Sequence, residues 1–304
     1  MKVLKNVKYH MVLHCRILLN SLLFFNSFCS FSTHIFGGCM KHSLKLLPLR
    51  AALVAVLALV CLIGSSLQAT AQDTKALCDK ADELFEQGKV ADAKKALEQA
   101  KGAAPNSYDV LWRMSRAMLL TGDGLPDKSS QQEKTYYDAK YFADEAIKAN
   151  PNGSQGYVRR AGANGKIALF KGVLGAKESV NAVRDDAQKA ISLNSDGPLA
   201  AAAAHYILGR THLKLTETPK PMRMPIGLGW GNMDDAMTHL KKAVDMRTDF
   251  IQYRLEYARA LIKKEQYGDA RNELQKIATL RYQDFNDDVR KKEAAQMLQD
   301  IQAK

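Results

Sequence analysis

Apolar positions recur along this chain in units of about 34 residues, and such a chain can bury them only by stacking one unit on the next. The clearest unit carries Leu77, Ala81, Leu84, Gly88, Ala93, Leu97 and Ala100 and ends at Pro105. Within it the apolar residues fall three and four apart, the period of a helix with one buried face. Small side chains at Ala81 and Ala93 let two helices approach closely, and Pro105 stops the second of them. The same frame fits four times more. Leu111, Met114 and Ser115 are answered by Ala139, Ala143, Ala146 and Pro151, and Tyr157 and Ala161 by Ala187 and Ala190. Leu208, Gly209 and His212 are answered by Ala236, Leu240 and Ala243, and Tyr257, Ala258 and Leu261 by Ala270, Leu274 and Ile277.

This is the tetratricopeptide pattern, with Leu208, Gly209 and His212 at the positions usually written Leu-Gly-x-x-Tyr. The chain is therefore expected to be all-α, an α-solenoid of about five tetratricopeptide-like helix pairs. A C-terminal helix over residues 287–303 caps its open end. Asn232 and Asn286, each followed by two acids, read as N-caps with negative charge in the first turn. Units two, three and four carry roughly 12, 10 and 15 extra residues between their helices relative to unit five. These inserts should crowd one edge of the solenoid. In the longest, from Thr216 to Gly231, the apolar Met222, Met224, Ile226, Leu228 and Trp230 should fold back onto the helices.

The net charge of +12 belongs mostly to the leader. Residues 1–71 hold seven of the 44 basic residues and none of the 32 acidic ones, so the rest carries only about +5 with the signs interspersed. No basic stripe with interleaved aromatics stands out, and nucleic acid is not expected as a partner. From Met40, three basic residues precede an apolar run from Ala51 to Ile63 and the small-residue end Ala69-Thr70-Ala71. That order is a secretory signal over residues 40–71, cleaved before Gln72, with an uncleaved membrane anchor as the lesser alternative. Residues 1–39 precede a complete signal and read as a misassigned extension. The repeat domain, residues 72–304, is then exported, periplasmic or secreted. Only Cys78 remains after cleavage, so neither an internal disulfide nor a cysteine metal site is expected.

Beyond the repeat, Ile207-Leu208-Gly209-Arg210, Gly227-Leu228-Gly229-Trp230-Gly231-Asn232 with Asp235-Ala236, and His239-Leu240-Lys241-Lys242-Ala243 resemble the regulator of microtubule dynamics family. So does Ala168-Leu169-Phe170-Lys171-Gly172 followed by Ala187 to Leu193. The resemblance covers most of residues 77–302 and extends to the inserts. It implies a tetratricopeptide fold without enzymatic activity, associated in eukaryotes with microtubules, organelle contacts and their lipids. The secretory leader argues against microtubules here, because an exported chain does not meet them.

The first helices of such a stack line its concave groove. Arg116, Arg210 and Arg259 occupy one equivalent position, each directly after a small residue, with Trp112 and Tyr206 one turn before the first two. One reading makes the arginines a ladder that grips carboxylates or phosphates of an extended ligand, with Trp112 and Tyr206 as apolar anchors. The other pairs each arginine with an acid on an adjacent helix. The ligand expected is a protein or peptide with anionic groups, or alternatively an amphiphile such as a phospholipid if the groove floor is continuously apolar.

Catalytic patterns are missing. Gly162-Ala163-Asn164-Gly165-Lys166 has two residues where a phosphate loop needs four between its glycines, and Gly227-Leu228-Gly229-Trp230-Gly231 has the wrong spacing for a dinucleotide. Both are expected to be loop glycines. His205 and His212 lie two helical turns apart, too far to share a metal. No cofactor, metal or catalytic residue is expected, and the chain reads as a binding module.

Overall fold

The computed structural model describes residues 72–304, which form twelve helices and no strand. Residues 1–71, with the signal peptide and the extension, lie outside the described residues. The helices are α1 (72–86), α2 (Val90–Ala103), α3 (Tyr108–Asp123), α4 (Ser130–Ala149), α5 (Ser154–Gly175) and α6 (Lys177–Leu193). They continue as α7 (Gly197–Leu215), α8 (Lys220–Arg223), α9 (Met233–Met246), α10 (Ile251–Lys263), α11 (Tyr267–Thr279) and α12 (Asp287–Asp300). Five antiparallel pairs result, α1/α2, α3/α4, α5/α6, α7/α9 and α10/α11, with α12 at the end. The first helices also pack on one another, α3 on α5, α5 on α7, α7 on α10 and α10 on α12, which places them along one inner surface.

The small repeat positions are where the helices touch. Ala81, Ala93, Ala143, Ala161, Ala187, Ala236, Ala258 and Ala270 are all completely buried. Ser115 serves as a small residue because its hydroxyl donates to the Ala139 carbonyl at 2.7 Å, tying α3 to α4. At Gly209 a Cβ would lie 2.8 Å from Leu240 Cγ and 2.9 Å from its backbone nitrogen, so only glycine admits α9 this close to α7. Leu97, Leu208, Leu240, Leu261 and Leu274 fill the space between, each contributing about 1.5–3 kcal/mol by burial. No helix among the described residues is long and apolar enough to cross a membrane.

The inserts of units two and three are not loops. α3 and α4 run to 16 and 20 residues and α5 and α6 to 22 and 17, against 13 each in α10 and α11. The added turns pack, with Tyr136 of α4 edge-on to Phe170 of α5 at 6.1 Å. α5 kinks only at Gly172, whose φ of 66° suits glycine. Gly162 and Gly165 therefore sit inside α5 and not in a loop, and a Cβ at Gly162 would already touch Leu119 of α3 at 3.4 Å.

The insert of the fourth unit is a loop with the one-turn α8, organised by buried Arg223. Its guanidinium donates to the carbonyls of Thr218, Leu228 and Gly231 at 3.1, 2.7 and 2.8 Å. Leu228 folds back and is buried, whereas Met222 and Met224 face solvent at 66% and 58% exposure, contrary to expectation. Three carbonyls held by one arginine fix the loop without needing those methionines.

Asn232 caps α9 as expected, accepting from the Asp235 amide at 2.8 Å. Asn286 makes no such bond. Fully buried Asp287, the first helical residue, instead accepts from the Gln283 and Asp284 amides before the helix and from Arg290. That arrangement fixes the loop before α12, and the loop reaches the other end of the stack. A Cβ at Gly88, in the turn between α1 and α2, would lie 3.6 Å from Phe285 Cβ. The solenoid thus curls until its first pair meets the segment before its last helix, and the inner surface becomes an enclosed groove.

Candidate functional site: the inner groove

The three arginines of the expected ladder lie on the groove side of α3, α7 and α10, each about one-third exposed. Each meets an acid on a neighbouring first helix. Arg116 reaches Asp82 of α1 at 3.5 Å, Arg210 lies 3.2 Å from Glu256 of α10, and Arg259 pairs with Glu293 of α12. Arg259 also holds Glu256 at 2.6 Å. Such partly exposed pairs contribute at most about 1 kcal/mol each. Their geometric effect is to link successive first helices.

Trp112 and Tyr206 are buried rather than offered to a ligand, at 8% and 7% exposure. The Trp112 ring carries the Arg113 guanidinium at 4.0 Å and that of Arg159 at 5.5 Å. Tyr206 stacks on Tyr253 of α10 at 4.7 Å, its hydroxyl enclosed without a hydrogen-bond partner, and desolvation raises its pKa. Residues one turn before the arginines face the neighbouring helix, which explains their burial.

Arg210 and Arg259 come together in a cavity of about 360 Å³ at the mouth of the groove; Arg116 does not reach it. The cavity wall alternates charge, with Lys166, Asp123, Glu256, Glu293 and Arg290, and carries apolar Phe170, Leu255 and Val289 between them. Lys166 donates to Asp123 at 2.5 Å, and the Tyr136 hydroxyl donates to the same carboxylate at 2.7 Å. Burial first, then the Asp123 charge, push the Tyr136 phenol well above its ordinary pKa. Sequence reasoning missed this cluster, although Lys166 stood inside the glycine pattern tested for a phosphate loop.

Arg210 Nε is enclosed and makes no hydrogen bond of good geometry, although Glu256 Oε1, which also accepts from Arg259, stands 3.2 Å away. Arg160 of α5 is fully engaged by Asp186 of α6 and Asp144 of α4, whereas Arg159, next to it in sequence, donates only to Gln155 at 2.9 Å among the described residues.

The histidines lie outside the groove cavity, packed between α7 and α9. The Nδ1 atoms of His205 and His239 share a hydrogen bond of 2.8 Å, and His212 Nδ1 accepts from the Asn232 amide at 3.2 Å. Burial pushes His205 and His212 down to about 4. Among the described residues no group of three histidines, cysteines or acids is arranged to hold a metal, and Cys78 is a buried free thiol.

A solved tetratricopeptide structure shares this architecture at low sequence identity. The thermophilic tetratricopeptide protein TTC0263 of Thermus thermophilus superposes with a TM-score of 0.55 at 16% identity, covering 73% of this chain and 99% of its own. PilF of Pseudomonas aeruginosa gives 0.46 at 15% identity, covering 77% and 89%. No curated protein sequence matches. The family described as Regulator of microtubule dynamics protein 1-3 matches residues 77–302, the whole stack from α1 to α12 with its lengthened helices and its Arg223 loop. The chain belongs to the regulator of microtubule dynamics family.

Proposed function

We propose that this chain is a non-catalytic binding protein whose groove holds an acidic segment of a protein partner, with Arg210 as the anchoring cation. The observation that carries this reading is Arg210 itself. It lines the cavity about one-third exposed, its Nε turned inward 3.2 Å from Glu256 and its terminal nitrogens engaged by no hydrogen bond among the described residues, while Glu256 also serves Arg259. An incoming carboxylate meets those terminal nitrogens, and the fork of a guanidinium matches it in two bonds. The alternating charges of the wall favour a peptide over an amphiphile, whose acyl chain needs a continuous apolar floor. The secretory signal read over residues 40–71 puts such a partner outside the cytosol.

Selection from a displayed library of random peptides is the test. Peptides rich in Asp and Glu are expected to be retained, and Arg210→Ala should weaken the best of them about 10- to 100-fold, the loss of one charged hydrogen-bonded contact. Selected peptides without an acidic bias, or equal binding to the variant, would overturn the proposal.

A further inference from the structure

Two helical turns along the inner surface from the cavity lies a second concentration of positive charge. Arg159 precedes cavity-lining Lys166 by seven residues on α5, and Arg116 precedes cavity-lining Asp123 by seven on α3. That places the pair roughly 10 Å from the cavity. Around them, acids are in short supply. Asp82 is held by Arg113 at 2.8 Å and reaches Arg116 only at 3.5 Å. Arg247 is served by Asp249, and Asp284 by Arg290.

Arg159 has no carboxylate partner among the described residues. Its Nε is enclosed with no acceptor, and its one side-chain bond goes to neutral Gln155. Desolvation, then the charge of Arg116, push it down to about 10. Tyr253 of α10, stacked on Tyr206, lies near enough that the charges of Arg247, Arg159 and Arg116 all act on its phenol, and its hydroxyl makes no hydrogen bond among the described residues. A half-buried cation left without a partner is costly to keep, and an anion removes that cost.

We propose that Arg159 and Arg116, with the Tyr253 hydroxyl opposite, form a second, separate anion site that takes a single oxyanion, carboxylate or phosphate, bound across the groove between α3/α5 and α10. Arg159 donates through the terminal N–H groups that Gln155 leaves free, Arg116 adds its charge, and Tyr253 donates from α10.

The test is thermal unfolding of the purified protein titrated with inorganic phosphate and, separately, with acetate, at ionic strength held constant with chloride. At least one of the two anions is expected to raise the melting temperature by several degrees at saturation, since binding to the folded state alone stabilises it. A response to phosphate alone assigns the site to phosphate, and a response to acetate assigns it to carboxylates. Arg159→Met should melt at or above the wild type without anion, because the unpaired charge is gone, and should lose the response. Arg210→Ala should keep the response while losing acidic peptides, so failure of the cavity reading and failure of this one are distinguishable. Lower stability of Arg159→Met without anion, no response in the wild type, or an equal response in both proteins would overturn the proposal.

Discussion

Replacing Gly209 by alanine should destabilise the protein by about 1–3 kcal/mol, although alanine is the better helix former by about 1 kcal/mol. The new methyl carbon would sit 2.9 Å from the backbone nitrogen of Leu240 and 3.1 Å from His239 Cβ. Backbone cannot rotate aside as a side-chain tip can, so α9 has to lift from α7. Lifting it also opens the space around fully buried Leu240. Gly165→Ala is the matched control. It too lies inside a long helix, but its methyl would meet only Val183 Cγ2, at an ordinary 3.8 Å, so it should stabilise by about 0.5–1 kcal/mol. Thermal unfolding separates the two, since about 1 kcal/mol moves the melting temperature of a domain this size by roughly 2–4 °C. Shifts of the same sign would show that close approach at Gly209 does not set the pair geometry.

Acid should weaken the same helix pair well before most carboxylates titrate. His205 and His212 titrate at about 4 in the folded protein against 6.5 in the unfolded chain, so between those values the unfolded chain binds more protons. Stability is therefore unaffected by these groups above 6.5 and falls as pH drops from 6.5 towards 4. Each shift, if fully realised, is worth on the order of 3 kcal/mol. His239 is lowered too, chiefly by burial, and shares its Nδ1 hydrogen bond with His205, so that pair acts together. The charged groups acting on the three rings are Lys242 and Asp235 of α9, Arg184 of α6 and Arg223 of α8; only Asp235 favours protonation. Denaturant unfolding at pH 7 and pH 4.5 measures the loss. In a His205→Gln, His239→Gln variant, whose amides can replace the ring-to-ring bond, the share owed to that pair should vanish and the share of His212 remain. An unchanged loss would place the acid sensitivity elsewhere.

The stack was legible because its determinants are local. Helical period, small residues such as Ala81 and Ala258, and the terminating Pro105 and Pro151 all act within one unit. What the sequence reading left open was which arginines are matched. Asp82 precedes Arg116 by one repeat length, and Glu293 follows Arg259 by 34 residues, so a comparison of acids one repeat away would have found both. Glu256 escapes that rule because the insert of the fourth unit lengthens its distance from Arg210. Arg159 drew little notice because it lies one turn before the ladder position, where burial and an absence of acids depend on how tightly the groove closes. The residues that lengthen α3 to α6 are expected between the helices because counting measures an insertion and says nothing of its conformation.

The contact between the Gly88 turn and Phe285 changes how the array should come apart. A linear stack draws its stability from nearest neighbours and frays from its ends, so its outermost units exchange amide hydrogens first. Here the outermost units lean on each other, which adds a long-range coupling to a system otherwise described by adjacent pairs. α1 and α12 should then open as one event, with matched exchange rates despite lying more than 200 residues apart in sequence.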